Sequence, residues 1–387
     1  MADRLSSWRS VAWMGLACLA VNAAMFLALE AQAPPARVPV GSPDSGWVVE
    51  TARAAAHVKI APFLGRDAVW LKNNAHAIRT GVDFTDGTIE FDLAPTDDGD
   101  FAAVVFRRTS FQDHENVYLR LRRSDFMAMQ YAPRVNGSST WQLYREFSEE
   151  TAWPKNQWTH VRVEVRGSLL EIFVGDAVKP TLSVPRLRNG TTHGEVAFWA
   201  RANDKPDAWA AAISNLRIRL ASAATPLVPA RDAPPEFVQG WEVSGPVSTT
   251  GAVTLPSNAP AWTRIRAEES GLVNLNRLFP VQKGRSVVYA RKRFRSDTAR
   301  RIPTGIGYSD DVTVFVNGEP VYSGVNAWDS RTPQFASFVD TRFETVWLPV
   351  RAGDNELVLA VSDDQRFGWG FAARFDDRAG LLFLNPQ

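Results

Sequence analysis

The sequence predicts an all-β protein built as two β-sandwiches in series behind an apolar N-terminal segment. Three observations carry this. Short runs with period-two alternation recur along the chain, as in Val117-Tyr118-Leu119-Arg120-Leu121-Arg122. Successive strand side chains point to opposite faces, so such a run buries one face and leaves the other polar. Polar, Gly- or Pro-containing turns separate the runs, and no useful length of sequence has helical periodicity. Two Pro-rich stretches also divide the 387 residues into blocks of ordinary domain size.

The N-terminal segment comes first. Arg4 and Arg9 give a positive start, Val11 to Leu29 is apolar apart from Asn22, and Ala31-Gln32-Ala33 resembles a small-residue cleavage pattern. The apolar run is also long enough to span a bilayer, and Pro34 directly after the small residues disfavours cleavage. Residues 1–33 are expected to be either a cleaved export signal or an N-terminal anchor. Both outcomes put the body of the protein outside the cytoplasm, secreted or periplasmic. Cys18, the one cysteine, lies in this segment. The folded part then has no thiol, which excludes disulfides, thiolate-bound zinc and thiol catalysis there.

Residues 34–45 hold Pro34, Pro35, Pro39 and Pro43 and read as a linker. The first block, 46–220, contains the expected strands Thr88 to Leu93, Ala102 to Arg107, Val117 to Arg122, Trp158 to Val165, Leu169 to Val174, Glu195 to Ala200 and Ala211 to Arg219. Residues 221–235 repeat the Pro-rich composition and read as a second linker. In the second block, 236–383, strands are expected at Val287 to Phe294, Val312 to Val316, Thr345 to Leu348 and Glu356 to Val361. Asn317-Gly318 between apolar runs signals a type I′ hairpin.

Charge is balanced, with 43 Lys and Arg against 42 Asp and Glu, so no electrostatic argument for nucleic acid arises. Arg120-Leu121-Arg122-Arg123 and Arg291-Lys292-Arg293 are short and read as solvated strand edges. Gly305-Ile306-Gly307 has the wrong followers for a phosphate loop, so no nucleotide cofactor is expected. His57, His76, His114, His160 and His193 form no metal-like pair and have no evident nucleophile partner.

The stretches TIEFDL, VVFRR with NVYLRLR, and WTHVRVEVRGSLLEIFVGD followed by GEVAFWA give the first block a resemblance. It resembles the concanavalin A-like lectin/glucanase superfamily, nearest its laminin-G-like and 3-keto-disaccharide-hydrolase-like bacterial domains. The second block, through SDDVTVFVNGEPVYSG, VWLPVRAGDNELVLAV and FGWGFAARF, resembles the galactose-binding-like jelly roll. The first resemblance implies a concave sheet face that binds carbohydrate. Carried over to this chain, that face holds Arg107, Tyr118, Arg120, Gln130 and Trp199. Trp141, Tyr144, Tyr131 and Arg134 would extend it, and Trp328, Trp369 and Asn326 would form a loop-end site in the second block. Aromatic rings stack on pyranose faces while Arg and Gln bond to hydroxyls. Alternatively, the aromatics are core and the arginines are structural.

Two acidic groups remain. Glu90 and Asp92, two apart on one strand, face the same way at about 7 Å, a separation compatible with glycoside hydrolysis. The related glucanase pattern is Glu-x-Asp-x-x-Glu, and Pro95 stands where the third carboxylate would be. The alternative is a solvated outer strand. Asp97, Asp98 and Asp100 form an acidic turn that could supply some of the roughly six to eight oxygens calcium takes, and Asp310-Asp311 and Asp363-Asp364 are lesser candidates. The expected function is an exported, non-catalytic carbohydrate-binding or surface-recognition protein. The alternatives are a glycan-processing hydrolase and a structural or protein-interaction module.

Overall fold

The computed structural model describes residues 36–256, 261–332 and 337–384. The expected export or anchor segment, 1–33, lies outside the described residues. Among those described, no helix is long and apolar enough to cross a membrane.

The first sandwich packs an eight-stranded sheet on a seven-stranded one. The eight-stranded sheet runs Val38–Pro39, Trp47–Val49, Ala77–Arg79, Glu195–Arg201, Phe101–Arg108, Glu115–Arg120, Met129–Tyr131, Ser148–Glu149 from edge to edge. The seven-stranded sheet runs Leu182–Val184, Leu169–Val174, Thr159–Arg166, Gly87–Pro95, Ala211–Leu220, Arg66–Leu71, Val58–Phe63. All pairings are antiparallel. Ile89, Phe91 and Leu93 from one sheet and Val104, Val117 and Leu119 from the other join one buried cluster. These are the apolar halves of the alternating runs, and their burial is the main driving term for the fold. This is the two-layer, antiparallel β-sandwich the sequence predicts.

The first sandwich begins earlier than expected. Val38–Pro39 pairs with Trp47–Val49, and Val40 is buried in the core, so the residues read as linker already belong to the sheet.

The second sandwich packs a sheet centred on Ser286–Ser296, Gly353–Asp363 and Asp311–Val316 against a four-stranded sheet. The four strands are Leu272–Asn274, Gly370–Phe375, Arg300–Ser309 and Thr345–Val350. Trp241, Trp369, Phe294 and Phe371 fill the space between the sheets. Asn317 and Gly318 both have positive φ, 52° and 92°, as the type I′ turn requires. Gly305-Ile306-Gly307 lies within the strand Arg300–Ser309. A Cβ on Gly305 would meet the Thr341 carbonyl oxygen at 2.4 Å, and one on Gly307 the Asp340 nitrogen at 2.7 Å. The glycines let the Asp340–Thr341 segment cross close to the strand.

The two sandwiches share an interface that is both apolar and polar: Leu272 of the second joins the first core cluster, and Met127, Ala132 and Trp141 of the first pack with Phe338 of the second. Tyr144 of the first donates to Glu268 of the second at 3.1 Å, and Gln142 donates to the Ser337 carbonyl at 3.0 Å. Arg188 pairs with Glu269 at 3.0 Å and Arg145 with Asp340 at 3.0 Å. Residues 221–235 are exposed apart from the buried Ala233, and they are tied down. Thr225 N–H donates to Asp86 and Val228 N–H to Ser168 on the first sandwich, and Arg231 N–H to Glu269 on the second. This Pro-rich stretch is a strap laid across both bodies, not a free spacer.

Candidate functional site

Strand register builds the site. On the eight-stranded sheet, Trp199 lies opposite Ala103, Ala103 opposite Tyr118, and Tyr118 opposite Gln130. The adjacent row places Arg201 opposite Phe101 and Phe101 opposite Arg120. Residues two apart share a face. Both rows therefore look away from the core, where Val117 and Leu119 sit. Ala103, between two large rings, leaves room for both.

The rings contact one another. Phe101 and Tyr118 stack with centroids 5.2 Å apart and planes 8° apart, and Tyr118 meets Trp199 at 5.7 Å. Trp199 Nε1 donates to Asn116 at 3.2 Å, which fixes the indole. The Arg120 guanidinium lies 4.8 Å from the Tyr118 ring and 5.5 Å from that of Trp141, and Arg201 lies 4.7 Å from Phe101. Trp141, on the turn Thr140–Gln142, then meets Trp328 of the second sandwich at 5.4 Å. Aromatic and guanidinium planes alternate along this wall, an arrangement favoured by the ring quadrupole.

The wall lines a cavity of about 1000 Å³ between the sandwiches. The first sandwich supplies Tyr118, Arg120, Arg134, Trp141, Trp199 and Arg201; the second supplies Trp328, Gln365, Arg366 and Phe367. The loop carrying the last three is held by buried acids. Asp310 accepts from the amides of Asp364 and Gln365, both at 2.9 Å, and Asp363 accepts from the Arg366 amide at 3.1 Å. Burial and the neighbouring Asp310 push the Asp363 carboxyl up to about 7. Asp310 and Asp363 thus serve backbone amides, and Asp311 pairs with Arg285 at 3.1 Å.

Protonation in the site follows from burial. Arg120 is 6% exposed, and desolvation lowers it to about 10, so it stays cationic at neutral pH. Burial raises the Tyr118 phenol, which stays neutral. His76 in the cavity wall is held well below its usual range by burial and by the nearby His114, which itself falls to about 3.

The structure sorts the sequence candidates. Tyr118, Arg120 and Trp199 meet in the cavity, and Arg134 and Trp141 join them. Gln130 does not line it. Fully buried, it accepts from Arg120 at 3.0 Å and donates to the Trp141 and Tyr144 carbonyls, so it braces Arg120 from behind.

Arg107 is a correction. A β-bulge interrupts pairing between Glu195 and Ala197, and Arg107 takes a left-handed φ of 47°. The bulge breaks the period-two count and turns the side chain off the face. Arg107 is 1% exposed and donates to the Thr85 and Gly167 carbonyls and to Asp86. Tyr131 and Tyr144 are also core residues, bonded to Glu115 and Glu268. Arg122 lies past the strand end and pairs with Asp100.

In the second block, Trp369 is fully buried and donates to the Val361 carbonyl, and Asn326 holds the Tyr308 and Phe338 carbonyls. Of that trio only Trp328 reaches the site, at 47% exposure.

The acidic candidates lie elsewhere. Ile89, Phe91 and Leu93 face the core, so Glu90 and Asp92 project from the outer face of the opposite sheet. Glu90 pairs with Arg219 at 3.2 Å. Asp92 is held by Arg66, by His160 at 2.8 Å and by Asn215 at 2.7 Å. The His160 and Asn215 bonds and the Arg66 charge keep its carboxyl below the usual range despite burial. Neither is placed as a general acid.

The calcium candidates diverge. Asp97 accepts from Asn156 at 2.9 Å, Asp98 pairs with Lys205 at 2.8 Å, and Asp100 pairs with Arg122. Among the described residues, no group of three or more His, Cys, Asp or Glu converges as a metal site.

Sequence reasoning missed Phe101, Arg201 and the 365–367 loop. The first two were findable, since each lies two residues from a named strand position. The loop carries no periodic signal.

No known family model matches the sequence, and no curated protein sequence matches it. Solved structures similar to it include the carbohydrate-binding module CBM66 from Bacillus subtilis, at 15% identity, covering 46% of this chain and 98% of that one, with a TM-score of 0.34. A Bacillus subtilis protein of unknown function with a galectin-like fold is 13% identical over 47% and 94%, with a TM-score of 0.33. A Bacillus licheniformis beta-glucanase is 11% identical over 48% and 98%, with a TM-score of 0.31. Likeness at this level says nothing about what the cavity takes.

Proposed function

We propose that this chain is an exported, non-catalytic carbohydrate-binding protein whose site is the cavity between its sandwiches. The single observation that supports the reading is the wall of Phe101, Tyr118, Trp199, Trp141 and Trp328 with guanidinium groups set between the rings. Such rings stack on sugar faces, and adjacent donors take the hydroxyls. Hydrolysis fits less well. Two carboxyl groups are needed for the usual mechanisms, and the described lining contains one, Asp113. Export rests on Arg4, Arg9 and the apolar run that follows.

The test is retention on a glycan array, read for both binding and cleavage. Trp199→Ala and Trp328→Ala are expected to abolish retention with little change in melting temperature, because both side chains reach solvent. Loss through Trp328 would also demonstrate that both sandwiches contribute. Retention unaffected by either change would refute the site. Product release would favour the hydrolase reading instead.

A further inference from the structure

The chain as a whole is nearly neutral, but the cavity is not. Its described lining carries four arginines, Arg120, Arg134, Arg201 and Arg366, against one carboxylate, Asp113. His76, also in the lining, is held uncharged by burial and does not alter this balance.

These arginines differ from most others in the protein. Arg107, Arg108, Arg188 and Arg277 are each paired with a carboxylate. Among the described residues, none of the four cavity arginines has a carboxylate within ion-pair distance. The contrast is sharpest at Arg120. It is 6% exposed, yet its two hydrogen bonds, to the Met127 carbonyl at 2.8 Å and to Gln130 at 3.0 Å, go to neutral acceptors. A guanidinium has five N–H donors, so capacity remains. The Nε groups of Arg134 and Arg201 are also buried without a hydrogen-bond partner.

Withdrawing a cation from water without an anion is costly. Stacking on Tyr118 and Trp141 offsets part of that cost at Arg120. An oxyanion from outside would offset more, and a guanidinium fork suits carboxylate and related oxyanions.

We infer that the cavity takes an anionic saccharide, with sugar rings on the Tyr118–Trp199 wall and their carboxylate or sulfate groups on Arg120, Arg134, Arg201 and Arg366. This rests on the carbohydrate reading above and narrows it to a ligand class.

The experiment is calorimetric titration of the full chain with three sets of oligosaccharides matched in length: oligogalacturonate, the neutral galactan counterpart, and a sulfated galactan. Each is run at low and high salt. An anionic oligosaccharide is expected to bind at least about tenfold tighter than the neutral one, with the advantage shrinking in high salt. Preference for the uronate or for the sulfated sugar identifies the anionic group, and either supports the inference.

Arg366→Gln, outside the ring wall, is expected to weaken anionic sugars while leaving neutral-sugar affinity within about twofold, and Arg201→Gln, within the wall, to weaken both with the larger loss for the anionic sugars. Arg366 is exposed, so this variant keeps the test sound if Arg120→Gln fails to fold. Equal affinity for neutral and anionic sugars, unchanged in both variants, would overturn the anionic inference and leave carbohydrate binding standing. No binding of any sugar by a folded protein would remove both.

Discussion

Glu115 is fully buried on the strand that carries Tyr118 and Arg120. Its Oε2 accepts from Tyr131 at 2.6 Å, and its Oε1 is buried without a partner. Burial pushes the carboxyl up to about 7, against the Tyr131 bond and the Arg107 charge, which pull it down. The folded protein thus holds this proton more tightly than the unfolded chain does. Between the unfolded value near 4.5 and the folded value near 7, the unfolded state binds fewer protons. Stability from this group is therefore full at low pH and is lost as pH rises through that window. Glu115→Gln is expected to flatten the stability–pH curve between pH 5 and 8 by on the order of 3 kcal/mol relative to the parent. Urea unfolding at several pH values checks this, and parallel curves would mean Glu115 is ionised throughout. The same scale shows what was legible in the sequence. Tyr118, Arg120 and Trp199 were readable because strand parity holds at each. Arg107 shares the parity of Phe101 and Ala103, but a bulge lies between them and the count fails there.

At the scale of elements, strands with a clear alternation were legible almost to the residue. Leu169–Val174 matches its expected bounds, and Gly87–Pro95 extends the expected Thr88 to Leu93 at both ends. Arg300–Ser309 and Gly370–Phe375 were not anticipated as strands. The first contains Pro303, Gly305 and Gly307, residues that lower intrinsic strand preference and that tertiary packing here demands. This yields a paired prediction. Gly305→Ala would press a Cβ against the Thr341 carbonyl oxygen at 2.4 Å, a backbone atom that cannot swing away. It is expected to cost about 1–3 kcal/mol. Gly240→Ala, on another strand with nothing within 4 Å of the added Cβ, is expected to be neutral or slightly stabilising. Denaturant midpoints of the two variants compare them directly. A neutral Gly305→Ala would show that the crossing segment moves freely.

At the scale of the whole molecule, each sandwich was readable and their union was not. The residues that join them sit in short turns and loops, where no periodicity marks a partner. Glu268 is the centre of that union. It is 9% exposed and accepts from Arg277 at 2.8 Å and from Tyr144 at 3.1 Å, and its other oxygen lies 3.8 Å from Arg188. Arg277 in turn donates to the Arg188 carbonyl, so groups from both sandwiches converge on one carboxylate. Removing it leaves guanidinium groups buried with less compensation. Arg188 keeps Glu269 as a partner, but Arg277 has no other carboxylate within ion-pair distance among the described residues. Glu268→Ala is expected to destabilise the protein by about 3–5 kcal/mol. The effect should fall first on the junction, where the carboxylate's partners Tyr144, Arg188 and Arg277 gather. The parent is expected to unfold in one transition, and the variant in two, as the sandwiches come apart before each melts. Differential scanning calorimetry distinguishes these outcomes. The cavity gives a second readout, because its walls come from both bodies. A Glu268→Ala protein with separated sandwiches should lose sugar affinity even though the residue lies outside the cavity lining. If the variant instead melts in one transition and keeps its affinity, the junction is held by contacts that remain, among them the Trp141–Phe338 apolar cluster, Arg188 with Glu269, Gln142 with Ser337 and Arg145 with Asp340, and Glu268 is dispensable to it.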